Sequence, residues 1–155
     1  MHKFSLFIVI TVSAIVGNFS CKKDSSTAPP KKGQVEIITA TSWKLKRTHG
    51  NYGNTVVSYE RGDTTGSNTF NFDFEYITFH KDSTGIYTDN AGVNTAFTWS
   101  FNSPDSSNLT WVAQFTPVTT LHWSFSAITT DSLKFVEQYS QGSTNVYQNE
   151  LRIPK

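Results

Sequence analysis

One cysteine, one methionine and almost no segment that reads as a helix set the first limits on this chain. A single cysteine excludes an internal disulfide. A lone thiol exposed outside the cell is a liability unless chemistry consumes it. Charge is scarce and balanced, with 13 Lys and Arg against 12 Asp and Glu. Met1 to Ser20 contributes only Lys3, so the remainder is neutral, and a nucleic-acid partner is not expected. His49, His80 and His122 are scattered and no second cysteine joins them, so neither a metal nor a cofactor is expected. No nucleophile elbow or other positioned motif appears, so we expect no catalytic residue and no enzyme. At 155 residues the chain has room for one compact domain.

The cysteine lies just past an apolar run. His2-Lys3 makes a short basic start, and Phe4 to Val16 is apolar but too short to span a bilayer comfortably. Cys21 follows Gly17-Asn18-Phe19-Ser20, and a small residue directly before a cysteine at this place resembles the lipobox of bacterial lipoproteins. In such proteins the thiol receives a diacylglyceryl group and becomes the new N-terminus, which implies a membrane partner through lipid on Cys21. Ordinary secretion and an uncleaved anchor are the alternatives. The expected division is a signal peptide over 1–20, a disordered tether over 21–33 and a folded domain over 34–155. The Lys22-Lys23-Asp24 start resembles short charged signals that carry such lipoproteins to the outer face of the cell. The expected location is the envelope, at the outer membrane.

What the chain does have is aromatic and β-forming residues: 12 Phe, 6 Tyr and 4 Trp, with abundant Thr, Ser and Asn. Short alternating runs separated by turn clusters begin near Gln34. Gln34 to Thr41 allows one helical turn. Strands are expected over Ser42–His49, Thr55–Arg61 and Phe70–His80, the last with a bulge or break near Glu75 where its alternation slips. Further strands are expected over Ile86–Thr88, Val93–Phe101, Leu109–Phe115, Leu121–Ala127, Leu133–Tyr139 and Tyr147–Ile153. No helix-length segment separates them, which excludes parallel crossovers and favours an antiparallel up-and-down barrel of about eight strands.

Trp43, the run Tyr76 to Gly85, the run Phe97 to Phe101 and the run Ile128 to Leu133 together resemble the small lipocalin-like domain of Bacteroidota lipoproteins, over most of Thr41 to Ile153. The resemblance implies a short calyx whose ligand is undefined. It also implies an arginine laid across Trp43. Arg152 is the candidate, since an antiparallel closing strand ends beside the start of the first one; a plain exposed arginine is the alternative.

Trp43, Leu45, Phe97, Trp99, Phe101, Trp111, Phe115, Trp123 and Phe125 share the apolar parity of their strands. They either line a cavity for a small hydrophobic ligand or fill a core. Arg47 and Glu137 fall on the same parity and are candidate interior polar groups. Tyr52, Tyr59 and Tyr87, near loops, are candidate sugar-stacking platforms. The expected function is therefore a membrane-anchored lipoprotein binding a small apolar ligand. The alternative is a non-catalytic envelope module with a filled barrel that meets a protein or glycan partner.

Overall fold

The computed structural model describes residues 32–155; Cys21, the signal segment and most of the tether lie outside the described residues. A short helix, α1 (Lys32–Ile38), precedes nine strands. It starts two residues earlier than the sequence pattern suggests and so takes in Lys32 and Gly33 of the expected tether. The strands are β1 (Ser42–Tyr52), β2 (Thr55–Glu60), β3 (Tyr76–Phe79), β4 (Thr84–Thr88) and β5 (Asn94–Phe101), then β6 (Asn108–Ala113), β7 (Thr119–Ile128), β8 (Leu133–Gln141) and β9 (Thr144–Pro154).

Every pairing is antiparallel. From β3 to β9 each strand pairs with the next, and β9 returns to pair with β1 along nearly its whole length. The free edge of β1 is shared: Ser42 to Lys44 pair with β3, while Arg47 to Tyr52 pair with β2. The result is a closed, lipocalin-like, eight-stranded up-and-down barrel with β2 as an extra strand. Closure leaves few edges unpaired, which suits a chain with so little helix to cover them.

Alternation of buried and exposed residues is cleanest on β5 to β8, where apolar side chains point inward and Thr, Ser, Asn and His point outward. Two strands depart from the expected pattern. On β1 the register against β9 shifts between Leu45 and Arg47, so Lys46 is an extra residue and the parity flips. Trp43 and Leu45 face in, then Thr48 and Gly50. On β9 the inner face is the polar one, Val146, Gln148, Glu150 and Arg152, whereas Tyr147 and Asn149 face out and Leu151 and Ile153 are only half-buried.

Phe70 to His80 is not one long strand. Only Tyr76–Phe79 joins the sheet, so the slip in alternation marks the end of a loop, and residues 61–75 cross outside the sheet. Arg61 holds that loop: Nε donates to the Leu45 carbonyl at 2.7 Å, Nη2 donates to the Phe72 carbonyl at 2.8 Å, and Nη1 reaches the Asp73 carbonyl. Tyr59 adds a hydrogen bond from its hydroxyl to Asp73 Oδ1 at 2.7 Å.

The barrel is solid toward the end that α1 covers. Ile38 is fully buried with Trp43, Ile77, Phe79, Trp99, Trp123 and Leu133, and the Trp43 Nε1 hydrogen donates to the Ile38 carbonyl at 2.8 Å. Aromatic rings interlock there. Phe79 meets Phe97, Trp99 and Trp123 edge-on at 5.3 to 5.6 Å, and Trp123 stacks on Phe135 at 3.9 Å. Among the described residues no helix is long and apolar enough to cross a membrane.

Candidate functional site

Inside the barrel, away from α1, the packing stops short and leaves a cavity of about 280 Å³. Its rim includes Tyr52 and Phe70, which are 38% and 44% exposed. Its apolar wall is built by inward positions of successive strands: Leu45 from β1, Val57 from β2, Tyr87 from β4, Trp111 from β6 and Leu121 from β7, with Phe115 just beyond β6. Phe72 is brought in by the strapped loop, and Tyr139 by β8. Tyr87 packs edge-on against Phe115 at 5.7 Å and lies 6.1 Å from Trp111.

The cavity also has a charged wall. Glu75, Glu137, Glu150 and Arg152 all line it and all are buried. Arg152 Nε donates to Glu150 Oε2 at 3.0 Å, and Nη1 donates to Glu75 Oε2 at 3.1 Å and, more weakly, to the Trp43 carbonyl at 3.4 Å. Glu75 Oε1 lies 2.9 Å from the same Nη1 but off the N–H direction, so this oxygen accepts no hydrogen bond from the described residues. Glu137 Oε2 accepts from Trp123 Nε1 at 2.6 Å. Gln148 is beside them, with its Oε1 accepting from Thr48 at 3.0 Å.

Three carboxyls around one guanidinium, all out of water, cannot all ionise cheaply. Burial pushes the Glu75 carboxyl up to about 7 from the usual 4.5, with Arg152 opposing and the Glu150 charge adding. Burial and the Glu150 charge push Glu137 up to about 8, against the Trp123 hydrogen bond and Arg152. Burial raises Glu150 too, offset in part by Arg152. For Arg152 burial works against the charge, and the carboxylates outweigh it and hold the guanidinium protonated.

Three of the four tryptophans have their indole N–H satisfied. Trp43 donates to Ile38, Trp99 donates to the Thr84 carbonyl at 2.9 Å and Trp123 donates to Glu137. Trp111 is the exception: the residue lines the cavity, and its Nε1 is fully buried with no hydrogen-bond partner among the described residues. A buried donor left unpaired costs about 1–3 kcal/mol.

The nine aromatic and aliphatic candidates divide between the two halves. Trp43, Phe97, Trp99 and Trp123 belong to the solid core, with Phe101 and Phe125 half-buried against it; Leu45, Trp111 and Phe115 line the cavity. Core and cavity are thus both present, at different levels of one barrel. Glu137 points inside. Arg47 does not: the extra residue at Lys46 turns it outward, where its side chain is 63% exposed and its Nε lies 3.8 Å from Glu60. Arg152 is beside Trp43 as the closing strand requires, but its guanidinium lies over the Trp123 ring at 5.6 Å and reaches Trp43 only through the backbone carbonyl.

Of the tyrosines considered as exposed platforms, Tyr59 is buried and Tyr87 is in the cavity wall, which leaves Tyr52 at the rim. Glu75, Gln148 and Glu150 were not singled out from the sequence. The signal for the last two was available, because a closing Arg152 directed inward carries Glu150 and Gln148 with it at a spacing of two. Cys21 lies outside the described residues. No protein-family model matches this chain, and no curated protein and no solved structure gives a significant match.

Proposed function

We propose that this chain is a lipoprotein of the bacterial envelope, anchored to the outer membrane through lipid on Cys21, whose lipocalin-like barrel holds one small molecule in the cavity of its unplugged end. The cavity itself carries the reading: an unfilled space lined by Leu45, Tyr87, Trp111, Phe115 and Leu121 with a few convergent polar groups is the form that small-molecule sites take. Size supports it. A cavity of about 150 Å³ accepts benzene, and this one is about 280 Å³. It therefore suits a compact ligand better than a full-length acyl chain.

Isothermal titration of the full chain with 4-(2-hydroxyethyl)phenol, a small neutral probe with an apolar ring and hydroxyl acceptors, tests the proposal. Saturable one-to-one uptake that disappears in the cavity-filling variant Leu121→Trp is the expected result. Uptake that is unsaturable, or equal in the two proteins, contradicts it.

A further inference from the structure

Building on the ligand-carrying reading, we infer that the cavity takes a compact organic cation: an amine whose ammonium group sits against Glu75, Glu137 and Glu150 while its apolar body packs on Trp111, Tyr87 and Phe115. The lining runs against the opposite polarity. Among the described residues Arg152 is the only Lys or Arg on the cavity wall, and its Nε and Nη1 are already engaged by Glu150 and Glu75. An anionic head group would enter beside three carboxyls, with only the Nη2 end of this shared guanidinium to meet it.

The vacant polar positions fit an amine. Glu137 is engaged through Oε2 by Trp123 and Glu150 through Oε2 by Arg152, which leaves each a second oxygen to accept from a ligand, and an ammonium group supplies three donors. Trp111, Tyr87 and Phe115 offer ring faces and edges to the apolar body. The charge count agrees: one guanidinium offsets one carboxylate, and a bound ammonium offsets a second, so that the cluster keeps at most one surplus negative charge. An amine of about ten to fifteen heavy atoms is of the right size for a cavity at the small end of ligand sites.

Binding is then linked to protons. The ionisable groups that face the ammonium position are Glu75 ahead of β3, Tyr87 on β4, Glu137 and Tyr139 on β8, and Glu150 and Arg152 on β9, with Tyr52 at the rim. Burial holds Tyr87 and Tyr139 neutral, so the carboxyls are the groups that change. Glu75 and Glu137 take up protons in the empty cavity, at about 7 and about 8, and surrender them when a cation arrives. Affinity for an amine therefore rises with pH across this range, while the amine itself stays charged.

Three probes of one shape separate the possibilities: tyramine, neutral 4-(2-hydroxyethyl)phenol and anionic 3-(4-hydroxyphenyl)propionate, each titrated into the full chain at pH 6.0 and 8.5. We expect tyramine to bind at least about tenfold tighter than the other two at pH 8.5, and about tenfold tighter there than at pH 6.0. Glu137→Gln, which keeps an acceptor for Trp123, should cut tyramine affinity about tenfold and remove most of its advantage over the neutral phenol. Urea unfolding reports whether the variant is folded, and Glu75→Gln repeats the test on a different element. If the propionate binds as tightly as tyramine, or the neutral phenol binds and tyramine has no advantage, the cation inference is overturned and the ligand-carrying reading stands. If none of the three binds, both fall.

Discussion

Trp123 Nε1 donates to Glu137 Oε2 at 2.6 Å, and this one bond joins the two halves of the barrel. The indole is part of the solid core, stacked on Phe135, whereas the carboxyl faces the cavity. Trp123→Phe keeps most of the ring packing and deletes the donor, leaving a buried acceptor unsatisfied. The expected loss is about 2–3 kcal/mol of unfolding free energy, read from urea denaturation at pH 7. Adding Glu137→Leu should restore part of it, since removing both partners is cheaper than orphaning one.

Stability should fall as pH rises from about 5 to about 8. Glu75 and Glu137 have folded-state values of about 7 and about 8 against an ordinary 4.5. Between those limits the folded chain holds protons that the unfolded chain has released, so raising pH favours unfolding. The two groups act in the same direction, so the fold is weaker at pH 9 than at pH 5. Urea midpoints measured across that range check the slope. Glu137→Gln should flatten it and raise the midpoint at pH 9.

Two glycines let the barrel close tightly. A Cβ on Gly50 would lie 2.0 Å from the Tyr147 carbonyl oxygen, which is backbone of the paired strand β9. On Gly85 it would lie 2.1 Å from the Phe97 ring. The end of a side chain gives more readily than paired backbone; the strand cannot move without opening the β1–β9 seam. Gly50→Ala should therefore destabilise more than Gly85→Ala, by several kcal/mol against about 1–3, in thermal or urea unfolding of the two variants.

The proposed anchor makes a separate prediction about mass. Chain recovered from a lipoprotein-processing bacterium should lack residues 1–20 and begin at a Cys21 carrying a diacylglyceryl group. Intact-mass spectrometry reads this directly. Cys21→Ser should abolish the lipid adduct, and an unmodified Cys21 on the wild-type chain would rule the anchor out.

Much of the barrel was legible because Phe97, Trp99, Leu109, Trp111, Leu121 and Trp123 alternate strictly with polar residues, and antiparallel hairpins preserve that parity from strand to strand. Parity is lost where one residue is added. Lys46 shifts β1 and sends Arg47 outward, and nothing in Trp43 to His49 announces it. The site was harder to read than the fold. Glu75 reaches the cavity from a loop held by Arg61 through contacts to residues 11 and 16 positions away, which no periodic pattern encodes. On β9 the apolar look of Tyr147, Leu151 and Ile153 pointed to the wrong face, since the interior there is polar, and a strand with charged inward residues violates the pattern that identifies strands.

The side-chain resonance of the Trp111 indole N–H tests the central claim most directly. In the free chain it should lack the signature of a hydrogen-bonded indole that Trp43, Trp99 and Trp123 carry. Titration with 4-(2-hydroxyethyl)phenol should move it saturably, together with the Leu121 and Val57 methyl groups and without comparable movement of Ile38 in the plugged end. A Trp111 signal that does not move, or that moves no more than Ile38, would contradict a ligand cavity in this barrel.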